Sequence, residues 1–188
     1  MNNKQTPELN KVKLLVRELL GSDTSGHADD HVERVALLAE RFASECSESV
    51  DLQEVLLTAW LHDVDDYKLV GKAQVEKLTN AVKIMAQAEV VNSLSQAVLE
   101  NIAAIGYSKR LNGRQPQRLA GQIVSDADIA TLLVQLGLSG RWFMLAITAG
   151  GFLTPRSGRM LIWRRMNIML AAIPTIPTAL SIISLKSC

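Results

Sequence analysis

Apolar residues recur at helical spacing through the first two thirds of the chain. After Thr6 and Pro7, which suit an N-cap and a first helical residue, leucines and valines return every three or four positions until Gly21. The same periodicity predicts further helices at about 29–45, 51–61, 72–88 and 92–105, and another that starts at Arg118. Strand-like alternation is absent, so we expect an all-α fold, a helical bundle.

The segment from Asp51 to Leu61 is apolar nearly all round. Asp51 and Glu54 have the spacing of a capping box, and the residues that follow are almost continuously hydrophobic. A helix that is hydrophobic on every side is typical of a buried position. We therefore expect a buried helix here, with His62 and Asp63 directly at its end.

Charge divides the chain into two unequal parts. Residues 1–128 hold 14 basic and all 19 acidic residues, whereas residues 129–188 hold six basic residues and no carboxylate. In an ordinary soluble domain about a quarter of the residues are charged. We therefore predict one domain over residues 1–128 and an atypical C-terminal tail over residues 129–188.

Composition limits which binding partners and which cellular compartment we expect. The net charge of +1 is not the basic signature of a nucleic-acid binder, so we expect no nucleic-acid partner. Two cysteines, Cys46 and Cys188, are too few for a disulfide framework. The polar N-terminus lacks the apolar core of a signal peptide, which favours a cytoplasmic protein.

The chain has three histidines, His27, His31 and His62, and acidic residues stand close to two of them. A carboxylate such as Asp63 at the end of an apolar helix is costly to bury unless it is paired or bound to a metal. Imidazoles and carboxylates together suit divalent ions that can activate water and bind phosphate oxygens. Purely structural alternatives to a metal site remain open. His62 can be a packed histidine, and residues 126–128 can be a solvated turn.

Four motifs carry a family resemblance. In order they are Gly26-His27-x-x-Asp30-His31-Val32-x-Arg34-Val35, then Ala59-Trp60-Leu61-His62-Asp63-Val64-x-Asp66-Tyr67-Lys68, then Ile105-Gly106-Tyr107-Ser108-Lys109, then Ile123-Val124-Ser125-Asp126-Ala127-Asp128. This order resembles the HD superfamily of metal-dependent phosphohydrolases, in its bacterial YedJ/YpgQ-like branch. The resemblance covers about residues 10–128.

The resemblance implies a divalent metal ion (Mn, Fe, Ni, Co, Zn or Mg) and a phosphohydrolase that uses metal-activated water. The substrate would be a small-molecule phosphate ester or anhydride, with nucleotides the leading class. The implied metal ligands are His31, His62, Asp63 and Asp126, the implied catalytic residues are Asp66, His27 and Lys68, and the implied substrate-binding residues are Lys68, Ser108 and Lys109. A competing interpretation is that Lys68 and Lys109 only pair with surface carboxylates.

The resemblance ends where the carboxylates end, after Asp128. Members of the family continue with Asp-Ala-Ile-Gly-Ala, and codons for residues 130–137 exist that encode this string when shifted by two nucleotides. The same shift turns residues 179–188 into a string similar to a later family motif. We infer a frameshift near Ile129 and expect weak or no activity of the chain as written.

Two other functions stay open. One is a non-catalytic helical module that binds a nucleotide or a metal without turnover. The other is a tail-anchored regulator, since the segment 166–185 is mostly apolar and follows two arginines. Pro174 and Pro177 interrupt that segment, which makes a membrane-spanning helix the less favoured reading.

Overall fold

The computed structural model describes residues 6–21, 28–66, 70, 77–106, 109 and 112–135, and their regular secondary structure is helical. The described residues form six helices: α1 (Pro7–Leu20), α2 (Ala28–Ser44), α3 (Leu52–Leu61), α4 (Thr79–Gln87), α5 (Asn92–Ala104) and α6 (Leu119–Gln135). The predicted all-α helical bundle is confirmed. All described residues belong to one compact unit, Met1–Phe143. None of the helices formed by them is long and apolar enough to cross a membrane.

Helix α1 begins and ends where the sequence predicts. The Thr6 hydroxyl accepts a hydrogen bond from the backbone N–H of Leu9 at 3.3 Å, and Gly21 follows the last helical residue. Its buried stripe consists of Leu9, Val12, Val16 and Leu20.

Helix α3 is buried on every side from Glu54 to Leu61, as its composition predicts. At its start, the Asp51 carboxylate accepts a hydrogen bond from the Gln53 N–H at 2.9 Å. Glu54 does not take the reciprocal role of a capping box, because its carboxylate receives Arg118 Nε at 2.6 Å and Nη2 at 2.9 Å. The Asn101 amide also donates to it at 2.9 Å. The residue expected to cap α3 instead joins α3 to α5 and to the start of α6.

One helix start differs from the expected one, and one helix continues past the predicted domain boundary. Helix α4 begins at Thr79 rather than near residue 72, because Leu78 has a left-handed backbone (φ 48°) that no helix can pass through. Residues 71–76 lie outside the described part. Helix α6 runs to Gln135, seven residues beyond the predicted domain boundary, and Ala130 and Thr131 on it are buried.

Three helices meet around the candidate site. Helix α2 packs mainly against α3 and α6, and α3 also contacts α1, α5 and α6. Close approach of α5 and α6 depends on Gly121, where an added Cβ would lie 2.5 Å from Asn101 Oδ1 and 2.7 Å from Pro116 Cβ. The apolar core formed by these contacts contains residues of all six helices.

Candidate metal centre

Three helices each bring polar side chains to one place beside the core. His31 lies in the first turn of α2, and His62 and Asp63 directly follow the last residue of α3. Asp128 lies on α6. Because α2, α3 and α6 pack against one another, residues far apart in sequence come together here.

The imidazole nitrogens and the carboxylates face one another. His31 Nε2 lies 3.6 Å from Asp63 Oδ2 and 3.2 Å from Asp128 Oδ1. His62 Nε2 lies 3.4 Å and 3.8 Å from the same two oxygens. The two rings have centroids 5.6 Å apart. Three of these four distances are longer than an N–H···O hydrogen bond, which is commonly 2.7–3.2 Å.

The tautomer of His62 follows from its backbone contact. Its Nδ1 lies 2.8 Å from the Ala59 carbonyl oxygen, which can only accept, so Nδ1 carries a proton and donates. In the neutral ring, Nε2 then presents a lone pair to the two carboxylates. This buried Nε2 has no hydrogen-bond partner among the described residues. A backbone carbonyl that orients one ring nitrogen while the other stays open is the usual arrangement of a metal-binding histidine.

The pKa of His62 reflects the surrounding carboxylates. Burial works to lower the pKa of His62, but its surroundings, first of all the negative charges of Asp63 and Asp128, together raise the pKa above the ordinary 6.5. The bond to Ala59 and the charge of Asp66 act in the same direction. Positive charge is therefore favoured at this place, and either a proton or a metal cation supplies it.

The spacing of the candidate ligand atoms is compatible with one bound cation. His31, His62 and Asp63 each offer one ligand atom, and these atoms lie within 4.8 Å of one another. Ligand bonds of roughly 2.0–2.2 Å to nitrogen and oxygen place neighbouring ligand atoms roughly 3–4 Å apart. The observed separations, together with the unpartnered His62 Nε2, fit residues that share one divalent ion.

Helix α6 also brings to the site an acidic residue that we did not expect. Asp128 Oδ1 faces both imidazoles, whereas the expected ligand Asp126 stays a prediction. Residues two apart on a helix point roughly 200° away from each other, so the two aspartates start from different faces of α6. The motif contains both aspartates, and only the rotational phase of α6 distinguishes them.

The other predicted site residues have varied positions. Asp66 is half-buried and its charge contributes to raising the pKa of His62, while its catalytic role stays a prediction. The Lys109 ammonium donates to the Ile102 carbonyl near the end of α5 at 2.9 Å, a contact that stabilises a helix C-terminus. His27, Lys68 and Ser108 lie outside the described residues, and their roles stay predictions.

Comparison with known proteins gives one match. The chain is 26% identical over 148 residues to an uncharacterized protein, YpgQ, of Bacillus subtilis (strain 168), and the match covers 78% of this chain and 70% of that protein. This share is larger than residues 1–128 alone, so the matched stretch extends past Asp128. No family model and no solved structure matches the chain. The name agrees with the YpgQ-like resemblance but carries no activity with it.

Proposed function

We propose that this protein is a divalent-metal-dependent phosphohydrolase that cleaves a phosphate ester or anhydride, with nucleotides as the substrate class. The observation that carries the proposal is the buried Nε2 of His62, which has no hydrogen-bond partner among the described residues and faces two carboxylates. The motif resemblance supplies the reaction class.

His31, His62, Asp63 and Asp128 would hold the cation. When bound, it supplies Lewis acidity, which lowers the pKa of water and stabilises charge on a phosphoryl group. The Ala59 carbonyl keeps the His62 ring in the orientation that presents Nε2.

Asp66 would serve as the proton acceptor. Its carboxylate is near enough to the site to raise the pKa of His62, and it is only half-buried. A carboxylate beside the reacting water can take up the proton that is released as the new P–O bond forms.

Charge explains why a phosphorylated substrate needs the cation. Asp63, Asp66 and Asp128 place three carboxylates at the site, and without a cation these would repel a polyanion. The side chain of Asp63 is 41% exposed while that of His62 is 2% exposed, so the site opens to solvent at Asp63. A substrate phosphate would enter from this side, and Lys68 follows in sequence as a candidate partner for its oxygens.

The test combines metal content with turnover in the full chain. Purified protein should contain near-stoichiometric divalent metal by elemental analysis, and His62→Ala and Asp128→Asn should lose most of it. Glu33→Gln, an exposed change on α2, serves as the matched control and should keep it. Asp126→Asn decides between the two aspartates, and we expect it to keep more metal than Asp128→Asn.

Turnover is measured as phosphate or pyrophosphate release from a panel of nucleotides and other phosphorylated compounds with Mn²⁺, for the chain as written and for a chain with its reading frame restored. Release that requires His62 supports the proposal. Metal binding without release in both chains would support the non-catalytic module. Equal metal content in wild type and His62→Ala would refute the metal centre.

A further inference from the structure

The turn that carries His62 and Asp63 is tied to a helix that contributes no ligand. Asp65 is 4% exposed, and its two carboxylate oxygens accept hydrogen bonds from the backbone N–H groups of Asn80 and Ala81, both at 2.9 Å. In return, the Asn80 side-chain amide donates to the Val64 carbonyl at 2.8 Å. Three hydrogen bonds thus connect residues 64–65 to the first turn of α4.

This contact replaces the local cap of α4. The residue before the helix, Leu78, offers no side-chain cap, and Asp65 from another part of the chain satisfies two of the free N–H groups of the first turn. A carboxylate also interacts favourably with the positive end of the helix dipole. Helix α4 therefore begins where Asp65 accepts hydrogen bonds from its first turn.

Backbone strain next to the contact shows that the arrangement is held firmly. Leu78 has φ 48°, a left-handed backbone conformation that leucine rarely adopts. Such a conformation persists only when surrounding contacts determine it, and it occurs often beside functional sites. The contacts that hold Leu78 in this conformation are the hydrogen bonds that Asp65 accepts and the burial of the Leu78 side chain in the core.

We propose that Asp65 and Asn80 form a clamp that fixes the orientation of His62 and Asp63 and thereby sets the affinity of the site for its cation. Both are positioning residues. Asp65 stands two residues after Asp63 in one tight turn, in which the Asp66 N–H donates to the Asp63 carbonyl at 3.1 Å. Holding residues 64 and 65 therefore restricts the backbone that carries Asp63. The inference rests on the proposed metal centre.

The experiment measures the dissociation constant for Mn²⁺ by competition with a fluorescent chelator, below the unfolding temperature of each variant. Asp65→Asn puts an amide group where a carboxylate oxygen accepts, and it should weaken binding about 10–100-fold, the usual effect of residues that orient metal ligands. Asn80→Ala keeps the backbone bonds, loses only the bond to Val64, and should weaken binding several-fold. Because Asn80→Ala is the milder change, it carries the test if Asp65→Asn does not fold.

Asp51→Ala is the matched control. It also removes a carboxylate that accepts from a helix N-terminus, but it lies at the other end of α3, roughly 15 Å from His62. It should lower the unfolding temperature without changing the Mn²⁺ affinity. In the metal-free protein, amide hydrogen exchange should become faster at residues 62–66 and 80–81 in the clamp variants only.

The outcomes separate the clamp from the metal centre. Weaker Mn²⁺ binding in the clamp variants, with the affinity of Asp51→Ala unchanged, supports the clamp. Unchanged affinity in both clamp variants, with wild-type protein that binds Mn²⁺ through His62, overturns the clamp and leaves the metal centre intact. If wild-type protein binds no Mn²⁺, the metal centre fails and the clamp fails with it.

Discussion

Glu54 shows how one buried charge can hold three helices. Its side chain is 7% exposed, and it accepts two hydrogen bonds from Arg118 and one from Asn101. The bonds from Arg118 outweigh burial and hold the pKa of Glu54 below its ordinary 4.5. A buried carboxylate is tolerated here because its partners arrive from α5 and from the residue before α6.

Removing Arg118 should therefore lower the stability of the folded protein. Arg118→Ala leaves the Glu54 carboxylate buried with one donor fewer on each oxygen, and we expect a loss of about 2–3 kcal/mol in the free energy of unfolding, measured by urea denaturation at pH 7. Arg41→Ala breaks an exposed pair with Glu45 and serves as the control, with an expected change below about 1 kcal/mol. Equal effects of the two variants would contradict a special role of Glu54.

The same pair predicts an acid dependence of stability. Because the folded-state pKa of Glu54 is lowered, its contribution is fully present above pH of about 4.5 and is lost as the pH falls through the lowered value. The stability of wild type should therefore fall more steeply between about pH 5 and pH 3 than that of Glu54→Gln. Parallel curves for the two proteins would show that Glu54 does not titrate differently on folding.

At the scale of helices, we expect Gly121 to be more stable than alanine at its position, the opposite of the usual order. Glycine inside a helix is usually less stable than alanine by about 1 kcal/mol. Here an added Cβ would lie 2.5 Å from Asn101 Oδ1, so Gly121→Ala should destabilise by about 1–3 kcal/mol through overpacking of α5 against α6. Thermal unfolding checks this, with the exposed Ser93→Ala on α5 expected to change little. A more stable Gly121→Ala protein would show that the two helices can separate easily.

Sequence patterns predict the helices well where the pattern is local. The cap at Thr6, the stop at Gly21 and the burial of α3 follow from residues within one helix, and the structure has them all. The start of α4 could not be predicted, because Asp65 caps it from a distant part of the chain. Glu54 was assigned to a local cap for the same reason, since its true partner is 64 residues away.

The candidate site was predictable only in part for a related reason. His31, His62 and Asp63 come together as the motif order predicts. The choice between Asp126 and Asp128 depends on how α6 is rotated about its axis, which packing against α2 and α3 decides. Nothing in the motif marks Asp65, because its role exists only once α4 is in place.

At the scale of the whole molecule, the proposed cation should stabilise the fold. An ion that binds the folded chain at a concentration of 100 times its dissociation constant adds about 2.7 kcal/mol. For a chain of this size, that corresponds to a rise in unfolding temperature of about 5–10 °C. Mn²⁺ should raise the unfolding temperature of wild type over that in EDTA, and Asp128→Asn should lose most of this rise. A similar rise in Asp128→Asn would remove Asp128 from the ligand set.

The predicted frameshift is also a property of the whole chain. Helix α6 continues to Gln135 across the predicted junction, and Ala130 and Thr131 on its continuation are buried. The nucleotide sequence around codon 129 tests the shift directly. Restoring the frame with one inserted nucleotide should raise solubility, protease resistance and phosphate release together. Full activity and protease resistance of the chain as written would mark residues 129–188 as a genuine variant.

The order of the ligands along the chain matters for how the site is made. His31, His62 and Asp63 belong to α2 and the end of α3, whereas Asp128 lies on α6, the last of the described helices. A nascent chain leaves the ribosome from its N-terminus and starts to fold as it emerges. With the proposed ligands, it offers three donors before the fourth has been synthesised. An ion captured at that stage would draw α6 into place, so the cellular supply of the metal would influence the yield of folded protein during translation.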